Sequence, residues 1–163
     1  MSTRLYLAKL TPPAFTPGLI DFWNDKTQYD TKGVSKEKYP IPFATKGAVE
    51  TTSSYYHVLV RQFITPPLAA GIVFTDTGAD WVKAQIRAME SDLDANMKLM
   101  VRVTLYLADG SWENTIVSSY GSTEFATSLT NRSFFDNQWL TDYVTVGGER
   151  LSIQIGYRCE NND

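Results

Sequence analysis

Two glycine-bearing turns set between alternating apolar residues constrain this chain more than any other feature. Lys98 to Leu107 alternate without a break, which places Leu99, Val101, Val103, Leu105 and Leu107 on one face of an extended strand. Asp109-Gly110 follows, a pair suited to a tight hairpin turn, and Trp112 to Ser118 returns as its partner. A second hairpin is expected where Val144-Thr145-Val146 meets Gly147-Gly148 and the chain continues through Leu151, Ile153, Ile155 and Tyr157. Strands joined this way need neighbours and covered edges. The expected class is therefore all-β: an antiparallel β-sandwich of jelly-roll-like form.

Arg4-Leu5-Tyr6-Leu7 forms a short opening strand that Thr11-Pro12-Pro13 ends, since proline supplies no ladder donor. Tyr55 to Ile64 is a further strand, expected to be central. Its strict alternation sets Tyr56, Val58, Val60 and Gln62 against Tyr55, His57, Leu59, Arg61 and Phe63. Thr65-Pro66-Pro67 ends it, and Ile72-Val73-Phe74 begins the next extended piece. Asn24 to Ser54 is polar and broken by Pro40-Ile41-Pro42, the longest irregular stretch of a single domain spanning 1–163. Trp81 to Met100 carries two periods at once. Val82, Ile86, Met89, Leu93, Met97 and Met100 keep helical spacing, whereas Val82, Ala84, Ile86 and Ala88 alternate; local propensity favours helix.

Composition narrows the function classes. The 163 residues are 43% apolar and 20% charged, a globular profile long enough to bury a core unaided. Aromatics make up 13%, which suits strands and interfaces. With a net charge of -3 and 15 scattered Lys and Arg, no basic stripe is laid out for nucleic acid. No apolar run approaches the roughly 20 residues of a membrane span, and Met1-Ser2-Thr3-Arg4 opens no signal-peptide core, so synthesis in the cytoplasm is expected. The single cysteine, Cys159, has no intrachain partner and is read as a small residue near a strand end.

Candidate chemistry is sparse. His57, the sole histidine, is the natural general base but lies among aromatic and apolar neighbours, and no Gly-x-Ser-x-Gly elbow accompanies it. It reads as a sheet-face residue. Asp92-x-Asp94-x-Asn96 opens like a calcium loop, then fails where Met97 replaces glycine and Val103 replaces the bidentate glutamate. There is no glycine-rich phosphate loop, Cys-x-x-Cys or His-Glu-x-x-His. We therefore expect no enzyme, no catalytic residue, no cofactor and no metal. Candidate interface residues are the aromatic groups of irregular segments, Phe22, Trp23, Phe134, Phe135 and Trp139, each weighed against core closure.

Several stretches together resemble virion structural proteins of tailed bacteriophages. They are Arg4-Leu5-Tyr6-Leu7, Ala14-Phe15 with Pro17-Gly18 leading to Trp23, Pro67-Leu68-Ala69-Ala70-Gly71, and Lys83-Ala84-Gln85-Ile86-Arg87-Ala88-Met89-Glu90. Leu129-Thr130-Asn131-Arg132, Arg150-Leu151 and Ile155-Gly156-Tyr157-Arg158 complete the likeness, which spans most of the chain and matches least between Asn24 and Ser54. The resemblance implies that Lys83 to Glu90 is a strand leading to one short helix or turn near 91–97, against the local helical preference. It also implies a capsid decoration or cement subunit that binds the major capsid protein as a homo-oligomer, a trimer by preference. A carbohydrate- or receptor-binding β-sandwich is the alternative, as is a neck or tail component of the same particle.

Overall fold

A computed structural model of the chain describes residues 5–18, 22–27, 29–35, 56–74, 82–91, 96–136 and 142–159. Ten strands and no helix are found among them: β1 (Tyr6–Leu10), β2 (Asp30–Ser35), β3 (Tyr56–Ile64), β4 (Val73–Phe74), β5 (Val82–Ala88), β6 (Met97–Tyr106), β7 (Trp112–Glu124), β8 (Thr130–Asp136), β9 (Tyr143–Val144) and β10 (Arg150–Cys159). The all-β expectation holds. Six strands make one curled, mixed sheet, a half-barrel in the order β1-β2-β3-β10-β6-β7, in which only β2 and β3 run parallel. Two-stranded ribbons, β4 with β9 and β5 with β8, complete the architecture.

The β6–β7 hairpin forms where the Asp109-Gly110 signal places it. Gly110 takes a φ of 89°, and the Asp109 carboxylate accepts hydrogen bonds from the Ser111 N–H at 2.9 Å and the Ser111 hydroxyl at 2.6 Å. These bonds hold the Asp109 carboxyl below the usual carboxylate range. From that turn, Leu99, Val101, Val103 and Leu105 face a core that also takes Val58 and Phe63 of β3, Val117 of β7, and Ile155, Tyr157 and Cys159 of β10. The β5–β8 ribbon packs over it. Phe134 is 2% exposed within the core, and Val82, Ala84, Ile86 and Ala88 lie against it while Lys83, Gln85 and Arg87 face outward.

The strand expected over Lys83 to Glu90 is present as Val82–Ala88, and other expectations need correction. The local helical preference of this segment is overridden, because an alternating set of small and branched side chains can lie on the core, whereas Met89, essential to the helical stripe, is 55% exposed. The expected helix or turn near 91–97 falls largely on residues 92–95, which lie outside the described residues. Asp30–Ser35 is no irregular segment but a strand between β1 and β3, and Gly33 is needed there: a Cβ would stand 2.9 Å from the Thr11 carbonyl oxygen. Residues 28 and 36–54 of that polar stretch lie outside the described ones.

The second expected hairpin does not form. Val144 pairs with Val73, and β10 pairs with β3 and β6, so β9 and β10 are not partners. The pair β3–β10 instead continues beyond the sheet, with Thr65 N–H bonded to Leu151 O, Leu68 N–H to Glu149 O, and Thr145 N–H to Ile72 O. Gly147 and Gly148, at φ 106° and 96°, make a kink within this extension. Strand β3 also departs from strict alternation. Arg61 lies opposite Ile155 while Leu59 lies opposite Gly156, so Val60 is the extra residue of a bulge, and Val58 and Phe63 share the core face.

Candidate binding surfaces

The face of the six-stranded sheet turned away from the core is polar, and register determines what it displays. Along β10 it carries Ser152, Gln154, Gly156 and Arg158; along β6 it carries Lys98, Met100, Arg102, Thr104 and Tyr106. The bulge at Val60 adds His57 and Leu59 on one side of the irregularity and Gln62 on the other. Residues 15–18 and 22–25 lie against this face. Trp23 is 2% exposed, packs with Leu59 and Met100, and donates its indole N–H to Gln154 at 2.7 Å. Gln154 in turn donates to Gln62 at 3.0 Å, and Ser152 donates to the same Gln62 oxygen at 3.2 Å. Such a chain satisfies buried amides that would otherwise each cost about 1–3 kcal/mol.

Beside this network lies a basic and aromatic group. The Arg102 guanidinium sits 4.5 Å from the Phe22 ring centroid, Phe22 stacks on His57 at 4.9 Å and 15°, and Arg158 sits 4.2 Å from the Tyr120 centroid. Burial lowers the His57 pKa, the Arg158 charge lowers it further, and a hydrogen bond with the Phe22 backbone opposes them. Burial also lowers the Arg102 pKa, with Tyr106 opposing. His57 lies on a strand at the sheet face, as its neighbours suggest. Its ring meets Phe22 and the Arg158 charge, a setting that favours the neutral imidazole.

The second surface is the β4–β9 ribbon. Phe74 and Tyr143 turn inward to the core, so the paired Val73 and Val144 face outward at 57% and 54% exposure, with Val146 at 78%. The ribbon is held from beneath by Glu149, whose carboxylate accepts the Val146 N–H at 2.6 Å, the Gly147 N–H at 2.7 Å and the Tyr143 hydroxyl at 3.0 Å. Burial raises the Glu149 pKa, but the backbone donors together outweigh it and the net shift is downward. Thr145 locks the opposite strand by donating to Ala69 O at 2.7 Å and accepting the Ile72 N–H at 2.8 Å.

The sequence-based interface residues fall in different places. Phe134 and Trp23, each 2% exposed, spend their apolar surface inside the chain, and Phe22 is half-buried over His57 and Arg102. Phe135 lies in β8, and Trp139 is outside the described residues. In the acidic cluster, Glu90 is 3% exposed and its carboxylate accepts the Met97 N–H at 3.1 Å, while Asp92 and Asp94 are outside the described residues. Among the described residues no three His, Cys, Asp or Glu side chains are grouped to hold a metal ion. Cys159 is fully buried in the core. Comparison of the chain with protein-family models, with curated proteins and with solved structures finds no match in any of the three.

Sequence reasoning missed both surfaces. The basic group is drawn from β3, β6 and β10, and only register brings those positions together. The even-numbered side of the Lys98 to Tyr106 alternation was the available signal, because a strand whose second face reads Lys, Met, Arg, Thr, Tyr needs a polar covering.

Proposed function

We propose that the chain is a non-enzymatic assembly subunit, a virion structural protein of a tailed bacteriophage that decorates the capsid and meets the major capsid protein through the outer face of the β4–β9 ribbon. The observation that carries this reading is the pairing of Val73 with Val144 on a solvent-facing ribbon, next to Val146. Isolated exposed apolar residues need no explanation, but adjoining ones on a braced projection favour burial against another surface. The sequence resemblance supplies the particle. The reading takes β5–β8 as the second layer of a jelly-roll-like sandwich and the chain as a homotrimer, made in the host cytoplasm and carried on the virion. A neck or tail position differs from it in location more than in physics.

A density map of the virion tests the proposal directly. The expected result is the chain seated on the capsid with Val73, Val144 and Val146 buried; purified particles that lack the chain would overturn it. A second reading, a carbohydrate-binding module, is favoured by Trp112 and Tyr120, which are 56% and 44% exposed on the polar face of β7 and present rings on which a sugar could stack. A glycan array with calcium titration separates the two: saturable glycan binding lost on replacing Trp112 supports the second.

A further inference from the structure

We infer that Asp109 is a site of spontaneous backbone modification, conversion to isoaspartate through a succinimide formed with Gly110, and that Ser111 restrains this reaction in the folded chain. The inference stands apart from the apolar ribbon and from what the chain assembles with.

The sequence supplies the reactive pair. Asp109-Gly110 is the only place in the 163 residues where an aspartate or asparagine precedes glycine. In the reaction the Gly110 backbone nitrogen attacks Asp109 Cγ: an N–Cγ bond forms, the nitrogen gives up its proton and one carboxyl oxygen leaves as water. Water then adds to either carbonyl of the ring. Breaking the new N–Cγ bond restores aspartate, whereas breaking the bond from the nitrogen to the Asp109 main-chain carbonyl routes the backbone through Cβ and Cγ and gives isoaspartate. The water lost in the first step is regained in the second, so no co-reactant is needed. Glycine favours the attack because no Cβ stands beside the nitrogen.

The structure leaves the pair accessible yet restrains it. Asp109 is exposed at the tip of the β6–β7 hairpin, where water reaches its carboxyl. Its Oδ1 accepts the Ser111 N–H at 2.9 Å and the Ser111 hydroxyl at 2.6 Å, which holds the carboxyl toward Ser111. The Gly110 N–H donates to Leu107 O at 3.0 Å, so the attacking nitrogen is engaged with a different carbonyl. The Leu107 N–H donates to Ser111 O at 2.9 Å and closes the turn, with Gly110 at φ 89°. Ring closure therefore proceeds from molecules in which the turn has opened, a local event that leaves the sheet in place.

Protonation acts in the same direction. Water leaves readily only from a neutral carboxyl, because the ionised group offers a poor leaving group. The Ser111 hydroxyl, and after it the Ser111 N–H, lower the Asp109 pKa, so fewer molecules carry the neutral form at a given pH. Ser111 thus controls both the geometry and the charge of the reacting group. Isoaspartate lengthens the main chain inside a turn whose bonds fit the shorter path, and it should unseat the bonds from Leu107 to Gly110 and Ser111. Phe15 should feel the change, since a Cβ at Gly110 would already stand 3.7 Å from its ring, and that ring packs edge-on against Tyr106.

The test follows isoaspartate by peptide mapping with electron-transfer fragmentation while the full-length protein is incubated at mildly acidic pH, folded in buffer or unfolded in concentrated guanidinium chloride. In the unfolded chain residue 109 should isomerise ahead of every other aspartate or asparagine, and folding should slow it at least about tenfold. Ser111→Ala removes the hydroxyl bond at an exposed position and should speed the folded protein about threefold or more, with the unfolded rate unchanged. Ser111→Thr keeps both bonds and should match wild type, with far-UV dichroism checking that both variants are folded. Another residue leading in the unfolded chain overturns the inference. So do equal rates at residue 109 in the folded and unfolded wild-type protein, or a folded Ser111→Ala that reacts no faster than wild type.

Discussion

Glu149 shows how one side chain can set a local structure that no period reveals. Its carboxylate serves two successive backbone N–H groups next to the positive-φ glycines 147 and 148, so the kink and its brace are specified together. In Glu149→Gln one oxygen becomes an NH2 group, which sets donor against donor at the turn and should cost about 2 kcal/mol, measured by urea denaturation at pH 7. The pH dependence has a definite sign. The Glu149 pKa is lowered in the fold, so its contribution is complete above the ordinary carboxylate range and is lost as pH falls through the lower folded value. Glu149→Gln should therefore lose less stability than wild type as pH falls from about 5 to about 3, a window that opens just above the ordinary glutamate pKa of about 4.3 and runs below it. Gly156 is a second such position. A Cβ there would collide with the Val58 carbonyl and stand 2.6 Å from the Trp23 ring, so Gly156→Ala should destabilise by about 3 kcal/mol and shift the Trp emission as Trp23 is displaced.

At the scale of elements, legibility follows the range of the information. The β6–β7 hairpin was readable because its period, its turn chemistry and its partner lie within one short stretch of chain. The strand Val82–Ala88 was ambiguous because its partner Thr130–Asp136 lies beyond an intervening hairpin, and packing across that distance overrides local propensity. Gly147-Gly148 misled for the same reason: the residues that pair with 143–151 come from 65–74, and nothing local announces them. Faces were misassigned in β3 because a bulge at Val60 shifts everything beyond it, and a bulge leaves no period of its own. The ribbon offers an element-scale prediction. Val144→Thr and Val146→Thr replace exposed groups with equally branched ones, so thermal stability should change by less than about 0.5 kcal/mol, while occupancy on particles should fall markedly. A ribbon that serves only the fold would give the reverse pattern, lower stability with normal occupancy.

Taken whole, the molecule uses one sheet to separate two environments. The core on one face contains Phe134, Val101, Val103 and Ile155; the covering on the other contains Trp23, Leu59 and Met100 around the amide network, and the two buried clusters share no residue. Both nevertheless stand on the same strands, since Met100 lies between Leu99 and Val101 in β6. If each face is packed independently, mild defects on opposite faces should add. Phe134→Leu removes ring contacts from the core and should cost about 1–2 kcal/mol, and Trp23→Phe removes the N–H that satisfies Gln154 and should cost a similar amount. The double variant is expected to lose the sum to within about 0.5 kcal/mol, in a single denaturant transition seen alike by far-UV dichroism and tryptophan emission. A shortfall or excess well beyond that margin would mean that β6 transmits strain between its faces. Additivity would instead make the polar face a separable covering, one that can change without disturbing the packing that keeps the sheet folded.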